Sequence, residues 1–168
     1  MKSTTTLTRM AVLIALGVVA SYLMPIPFYG AKLFPAQHAI NVVAAILLGP
    51  WLAGAVALAI ALIRIMMHTG SPLAIPGSIF GAMLAGLLYR ATRANIGAMV
   101  GEVIGTGLLG AMAAYPIAVF MMGMRQAAAV GFTFFIIPFG LPSLLGAILA
   151  GLALPAIKRV AQPVEQSR

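Results

Sequence analysis

Long apolar runs dominate the chain, divided by a small set of prolines, glycines and basic residues. A helix needs about 17–25 apolar residues to cross a bilayer. The run from Leu7 to Met24 has that length and carries one charge, Arg9. Further runs at 35–48, 52–67, 73–89, 95–123 and 132–154 follow, so the pattern predicts six spans in one membrane domain over residues 1–168. The second is short, reaching only about 21 Å at 1.5 Å per residue. It needs shielding by its neighbours. Ser3 to Thr6 offer hydroxyls to cap the first helix. Lys2, Arg9 and the apolar run after them imitate a signal peptide, but no clean small-x-small cleavage signal follows and more spans do. The run reads as a first span.

Residues 25–35, PIPFYGAKLFP, break the pattern. Three prolines and a glycine forbid a continuous helix there. Ile26, Phe28, Tyr29, Leu33 and Phe34 are too apolar for a solvated linker, so the segment is buried or interfacial. It reads as a lid over the mouth of a pocket, with an interfacial aromatic belt as the alternative. Gly49-Pro50 predicts a tight turn, with Trp51 as an interfacial anchor. Pro76-Gly77-Ser78 is expected to break the first turns of the fourth helix. Pro138, Gly140, Pro142 and Ser143 are expected to interrupt the sixth, and Tyr115-Pro116 to kink or end the regular part of the fifth. Such breaks free backbone groups for a ligand. Small residues at spacing four form stripes at Gly77, Gly81 and Ala85, at Gly97, Gly101 and Gly105, and as a pair at Ala11 and Ala15. Such stripes let helix backbones approach closely in lipid.

Composition sharpens the class. Hydrophobic residues make up 62% of the chain and charged residues 7%, against roughly 25% charged in a soluble domain. Ten basic residues face two acids. The bases sit at segment ends without aromatic interleaving, so they read as topology signals and head-group neighbours, not as a nucleic-acid surface. Lys2, Arg9, Arg90, Arg93, Lys158, Arg159 and Arg168 fall on one side of a six-span arrangement, and Lys32, Arg64 and Arg125 on the other. The excess places both termini in the cytoplasm and turns the lid outward. Arg64, near the end of its span, is expected to snorkel. Cysteine is absent, which removes disulfides, thiolate metal sites and cysteine nucleophiles.

The polar residues concentrate after the lid. Gln37, His38 and Asn41 lie at helical spacing and share a face. In so apolar a chain that face turns toward protein or a cavity, unless it is merely solvated at the interface. Ser78, Tyr115 and Ser143 fall at similar depths in other spans, and all can converge on one cavity for a small, mostly neutral ligand. Glu102 is the one acid inside a span, with Thr106 one turn further along the same face. It either serves a structural bond, with Arg64 or Lys32 as possible partners, or contacts ligand. No HExxH, GxSxG, P-loop or acid cluster occurs, and His38 and His68 are too few for zinc. Enzymatic chemistry, a metal and a resident cofactor are therefore not expected. A transport subunit driven by partners fits better than a stand-alone channel, which would need a polar path through the whole membrane.

The stretches GAKLFPAQHAINVVAAILLGPW, HTGSPLAIPGSIFGAMLAGLLYR, GEVIGTGLLGAMAAYPIA and FFIIPFG resemble the ThiW family, over about Met10 to Lys158. The resemblance implies an S component of an energy-coupling factor importer in a prokaryotic cell membrane. Such proteins are six-helix bundles that capture a vitamin or precursor under an outer lid. A T component and two ABC-type ATPases supply the energy. Hydroxyethylthiazole, the thiazole moiety of thiamine, is the implied cargo, with thiamine or another small vitamin as the alternative. Ala11 and Ala15 match the pair that docks the T component. Phe28, Tyr29 and Phe34 then stack on the ring, and Gln37, His38, Asn41, Ser78, Glu102, Thr106, Tyr115 and Ser143 supply polar contacts. Asn41→Ala is expected to weaken binding by about 1–3 kcal/mol.

Overall fold

The computed structural model describes residues 2–23, 25–28 and 31–161. Helix α1 covers Lys2–Leu23. Ser3 to Thr6 therefore lie within the helix and not ahead of it; Thr8 turns its hydroxyl back onto the Thr4 carbonyl at 2.9 Å. The proline-rich break forms an antiparallel hairpin of β1 (Ile26–Phe28) and β2 (Ala31–Leu33), with Ile26 opposite Leu33. Strand pairing satisfies backbone groups that a bare apolar loop would leave open.

Helix α2 spans Pro35–Leu48 and α3 spans Pro50–Met66. Proline opens both, at the position where a missing N–H costs nothing. Between them Gly49 adopts φ 82° and returns its N–H to the Ala45 carbonyl at 3.1 Å, as only glycine does without strain. Helix α4 covers Ala74–Thr92. Pro76 sits in its first turn, so the expected break is absent and the helix starts cleanly around it.

Helix α5 is one element over Asn95–Met121. It remains α-helical through Tyr115-Pro116 and widens to π-helical turns over Gly105–Gly110 and Ile117–Met121. The irregularity thus brackets the expected kink. A short helix α6 (Arg125–Val130) and a 3₁₀ turn (Phe132–Phe135), neither of them expected, lead into α7 (Ile136–Ala161). Helix α7 continues through Pro142 and Pro155 and past Leu154. The expected mid-course interruption is therefore wrong. In an apolar surrounding the loss of one hydrogen bond costs less than unwinding several. Ser143 covers the Gly140 carbonyl at 2.9 Å, and Pro142 removes the N–H that the Pro138 carbonyl would accept.

Thr4–Tyr22, Ala74–Thr92, Asn95–Met121 and Phe132–Arg159 are long and apolar enough to cross a membrane; Pro35–Leu48 and Pro50–Met66 are shorter apolar helices. The short α2 is the central one, touching α1, α3, α4, α5 and α7. Its residues Val42 to Ala45 are buried in the main core with Val56, Ile60, Ala82 and Ala98. This wrapping answers the shielding that its length demands.

The glycine stripes set the closest helix pair. A Cβ on Gly101 would stand 2.6 Å from the Leu84 carbonyl and 2.7 Å from Ala85 Cα. One on Gly105 would stand 2.8 Å from Gly81 Cα, and one on Gly110 would stand 2.5 Å from Gly77 Cα. The two expected stripes are therefore two sides of one seam between α4 and α5. Gly97 continues the seam at the far end of α4, against Thr92 and the Leu88 carbonyl.

Candidate functional site

A cavity of about 870 Å³ opens at one end of the bundle. Its walls come from the hairpin exit (Leu33, Phe34), the start of α2, the α3–α4 turn, Met124 and the start of α7. In an antiparallel bundle these segments all fall at the same end. Away from it the interior is filled by the main core of small aliphatic side chains.

The polar floor is built from four helices, α2 to α5. Gln37 Nε2 donates to Ser78 Oγ at 2.6 Å, and Arg64 donates to Gln37 Oε1. His38 Nδ1 lies 2.8 Å from Glu102 Oε1. Asn41 Nδ2 donates to the same oxygen at 3.1 Å and, at 3.4 Å, toward the Ser78 carbonyl. Thr106 Oγ1 lies 3.0 Å from Glu102 Oε1 and 3.1 Å from the Gly77 carbonyl; its single proton serves one of them at a time. Gly81 makes room for this knot: a Cβ there would strike Thr106 Oγ1 and stand 2.7 Å from Glu102 Oε2.

The buried carboxyl group therefore pairs with His38, the one contact between an acid and a basic side chain among the described residues. Arg64 was a candidate partner on sequence grounds and is not one; the side chain of Lys32 lies outside the described residues. Because Nδ1 faces Glu102, His38 Nε2 is the ring nitrogen left for a ligand. Glu102 is fully buried, so it fixes His38 from behind the wall.

Arg64 departs from the sequence reading. It does not snorkel: it is 2% exposed and lines the cavity. Its guanidinium lies over the Phe34 ring at 3.8 Å from the centroid, and Nη2 donates to the Thr69 carbonyl at 2.9 Å. The turn after α3 folds back on it, since Thr69 and Gly70 both bond the Arg64 carbonyl.

The structure brings five of the expected site residues onto the cavity surface, Phe34, Gln37, His38, Ser78 and Thr106, and adds Leu33 from the lid segment. Asn41 and Glu102 form the layer beneath. Ser143 is buried against its own helix, and Tyr115 packs in the smaller core cluster with Phe135 and Ala118, behind the cavity wall. Neither is among the lining residues. The Phe28 side chain and Tyr29 lie outside the described residues. Sequence reasoning missed Arg64, His68 and the aromatic wall of Phe134, Phe135 and Phe139. The wall had a signal, the cluster Phe132 to Phe139 at the start of a helix; Arg64 had one too, a lone base without an acid nearby.

A sequence model of the ThiW family, described as thiamine-precursor transporter protein, matches residues 7–160. No curated protein matches the chain.

Proposed function

The chain belongs to the ThiW family of thiamine-precursor transporters, and on that premise we propose that it is the substrate-capture S component of an energy-coupling factor importer, taking hydroxyethylthiazole from outside the cell. The observation that carries this reading is the one-ended cavity: aromatic walls, a polar floor, and a packed core beyond it. A channel needs a continuous polar path. A capture subunit needs a closed-bottomed site that binds first and releases only when the whole protein is moved.

The chemistry fits a small heteroaromatic ring. Phe34, Phe134, Phe135 and Phe139 offer ring faces and edges for it. His38, Gln37, Ser78 and Thr106 offer a few fixed polar atoms for its nitrogen and side-chain oxygen. Their positions are set by bonds to one another, so little ordering remains for binding to supply. The hairpin Ile26–Leu33 acts as the lid, with Leu33 and Phe34 as its inner edge.

In this reading all six long helices, α1 to α5 and α7, span the membrane, with both termini inside. The outward face of α1 carries Ala11 and Ala15, both exposed, while Leu13, Gly17 and Ser21 turn to the bundle. That small-residue face serves as the dock for the T component. ATP is hydrolysed by the two partner ATPases. Calorimetry of the purified chain with hydroxyethylthiazole, thiamine and unrelated vitamins tests the cargo: selective thiazole binding without partners is expected. Tight binding of another vitamin overturns the substrate and keeps the class. Failure of a tagged chain to co-purify with T and ATPase subunits overturns the class.

A further inference from the structure

The cavity wall holds a charge that nothing in the described structure neutralises. Arg64 is 2% exposed. Its hydrogen bonds run to two neutral groups, the Gln37 amide and the Thr69 carbonyl. Phe34 covers one face of the guanidinium without carrying a formal charge. The one acid among the described residues, Glu102, is bonded to His38, Asn41 and Thr106. Arg64 Nε is buried with no hydrogen-bond partner among the described residues. Among the described residues no Asp or Glu lines the cavity, whereas Arg64, His38 and His68 all do.

A buried charge without a partner is expensive, so such groups are kept where a partner arrives. An arginine fork matches an oxyanion, presenting parallel N–H groups to two oxygens. Gln37 and Thr69 hold the guanidinium from two sides and Phe34 holds its plane, which fixes its orientation in advance. The cavity, at about 870 Å³, has room for a charged group beside an aromatic ring.

We infer that Arg64 is an oxyanion subsite, and that the preferred ligand is an aromatic ring bearing a phosphate or carboxylate. The inference deepens the proposed function, since it rests on the same cavity receiving the thiazole. It replaces a neutral alcohol by its anionic counterpart as the better ligand. Phosphate ester and carboxylate share the oxyanion that Arg64 recognises, and separate probes distinguish them.

The test is calorimetry on the full chain in detergent with four probes: hydroxyethylthiazole, its phosphate monoester, the corresponding thiazole acetate, and inorganic phosphate. Each is titrated into the unaltered protein and into Arg64→Gln, with melting in detergent to show that the variant folds. We expect at least one anionic thiazole to bind tenfold or more tighter than the alcohol. We expect that preference to vanish in Arg64→Gln, whatever the change in alcohol binding itself. If Arg64→Gln does not fold, Arg64→Lys replaces it, and a smaller preference is expected because a point charge lacks the fork. An alcohol that binds as well as both anions, or a preference that survives loss of Arg64, overturns the subsite. Arg64-dependent phosphate binding with no thiazole binding keeps the subsite and sinks the thiazole reading. Alcohol binding with no response to any anion does the reverse. Silence from all four probes overturns both.

Discussion

His38, Asn41, Thr106 and Glu102 show how one buried acid is made tolerable. Three donors converge on Glu102 Oε1, and a charge-assisted bond of this kind is worth roughly twice a neutral one. Glu102→Gln keeps an acceptor oxygen for Asn41 and Thr106; Glu102→Ala removes the shared acceptor, leaves His38 Nδ1 unpaired, and leaves Thr106 and Asn41 only the Gly77 and Ser78 carbonyls. We expect the alanine variant to lose about 1–3 kcal/mol more stability than the glutamine variant, the usual cost of buried groups left unpaired. Comparison of their melting in detergent checks the order, and equal losses would show that the knot is held by packing alone. Asn41 lies behind the cavity wall, bonded to Glu102 and to the Ser78 carbonyl. Asn41→Ala is therefore expected to cost about 1–3 kcal/mol of stability and to weaken ligand binding only through displaced His38 and Ser78. Melting and calorimetry on that single variant separate the two effects: full affinity with lowered stability confirms a supporting role.

At the scale of elements, the α4–α5 seam decides where the floor sits. Gly81 clears the space that Thr106 and Glu102 occupy, and Gly101 and Gly105 bring the two backbones together on either side. Gly101→Ala puts a methyl against backbone atoms that no rotamer change can move. It should cost about 1–3 kcal/mol, as overpacking does. Gly140→Ala is the control. There the nearest atom to a new Cβ is 3.9 Å away, and alanine favours helix by up to about 1 kcal/mol over glycine. Unfolding of the two variants in parallel should show a loss for the first and no loss for the second. A tolerated Gly101→Ala would mean that the helices stand further apart than the seam implies.

For the whole molecule, the proposed six-span arrangement makes a labelling prediction. The chain has no cysteine, so single introduced thiols report without background. Ser71→Cys, in the turn that lines the cavity, should react with an impermeant maleimide in intact cells. Ser3→Cys should react only after permeabilisation. Labelling of both from outside would place the first helix differently and would undo the orientation derived from the basic residues. The same arrangement explains the surface: Leu7, Trp51, Phe120 and Leu152 are more than half exposed, as lipid-facing or interfacial side chains should be.

The membrane class, the positions of the long helices, the Gly49-Pro50 turn and the small-residue stripes follow from the sequence itself. They depend on local rules: apolar length, proline's missing N–H, glycine's missing Cβ. That Gln37, His38 and Asn41 share a face is equally local, because helical periodicity fixes it. What they face is not local. The pairing of His38 with Glu102 spans 64 positions, and two other basic residues were as eligible by composition. Arg64 shows the limit most clearly. Its place near a helix end argued for snorkelling, yet the turn at Thr69 and the ring of Phe34 fold over it and turn it inward. The prolines of α7 mark the same boundary: proline predicts a break, and packing against α2 and α5 keeps the helix whole. Periodicity sets the face a residue takes on its own helix; only the packing of helices around one another sets which groups that face meets.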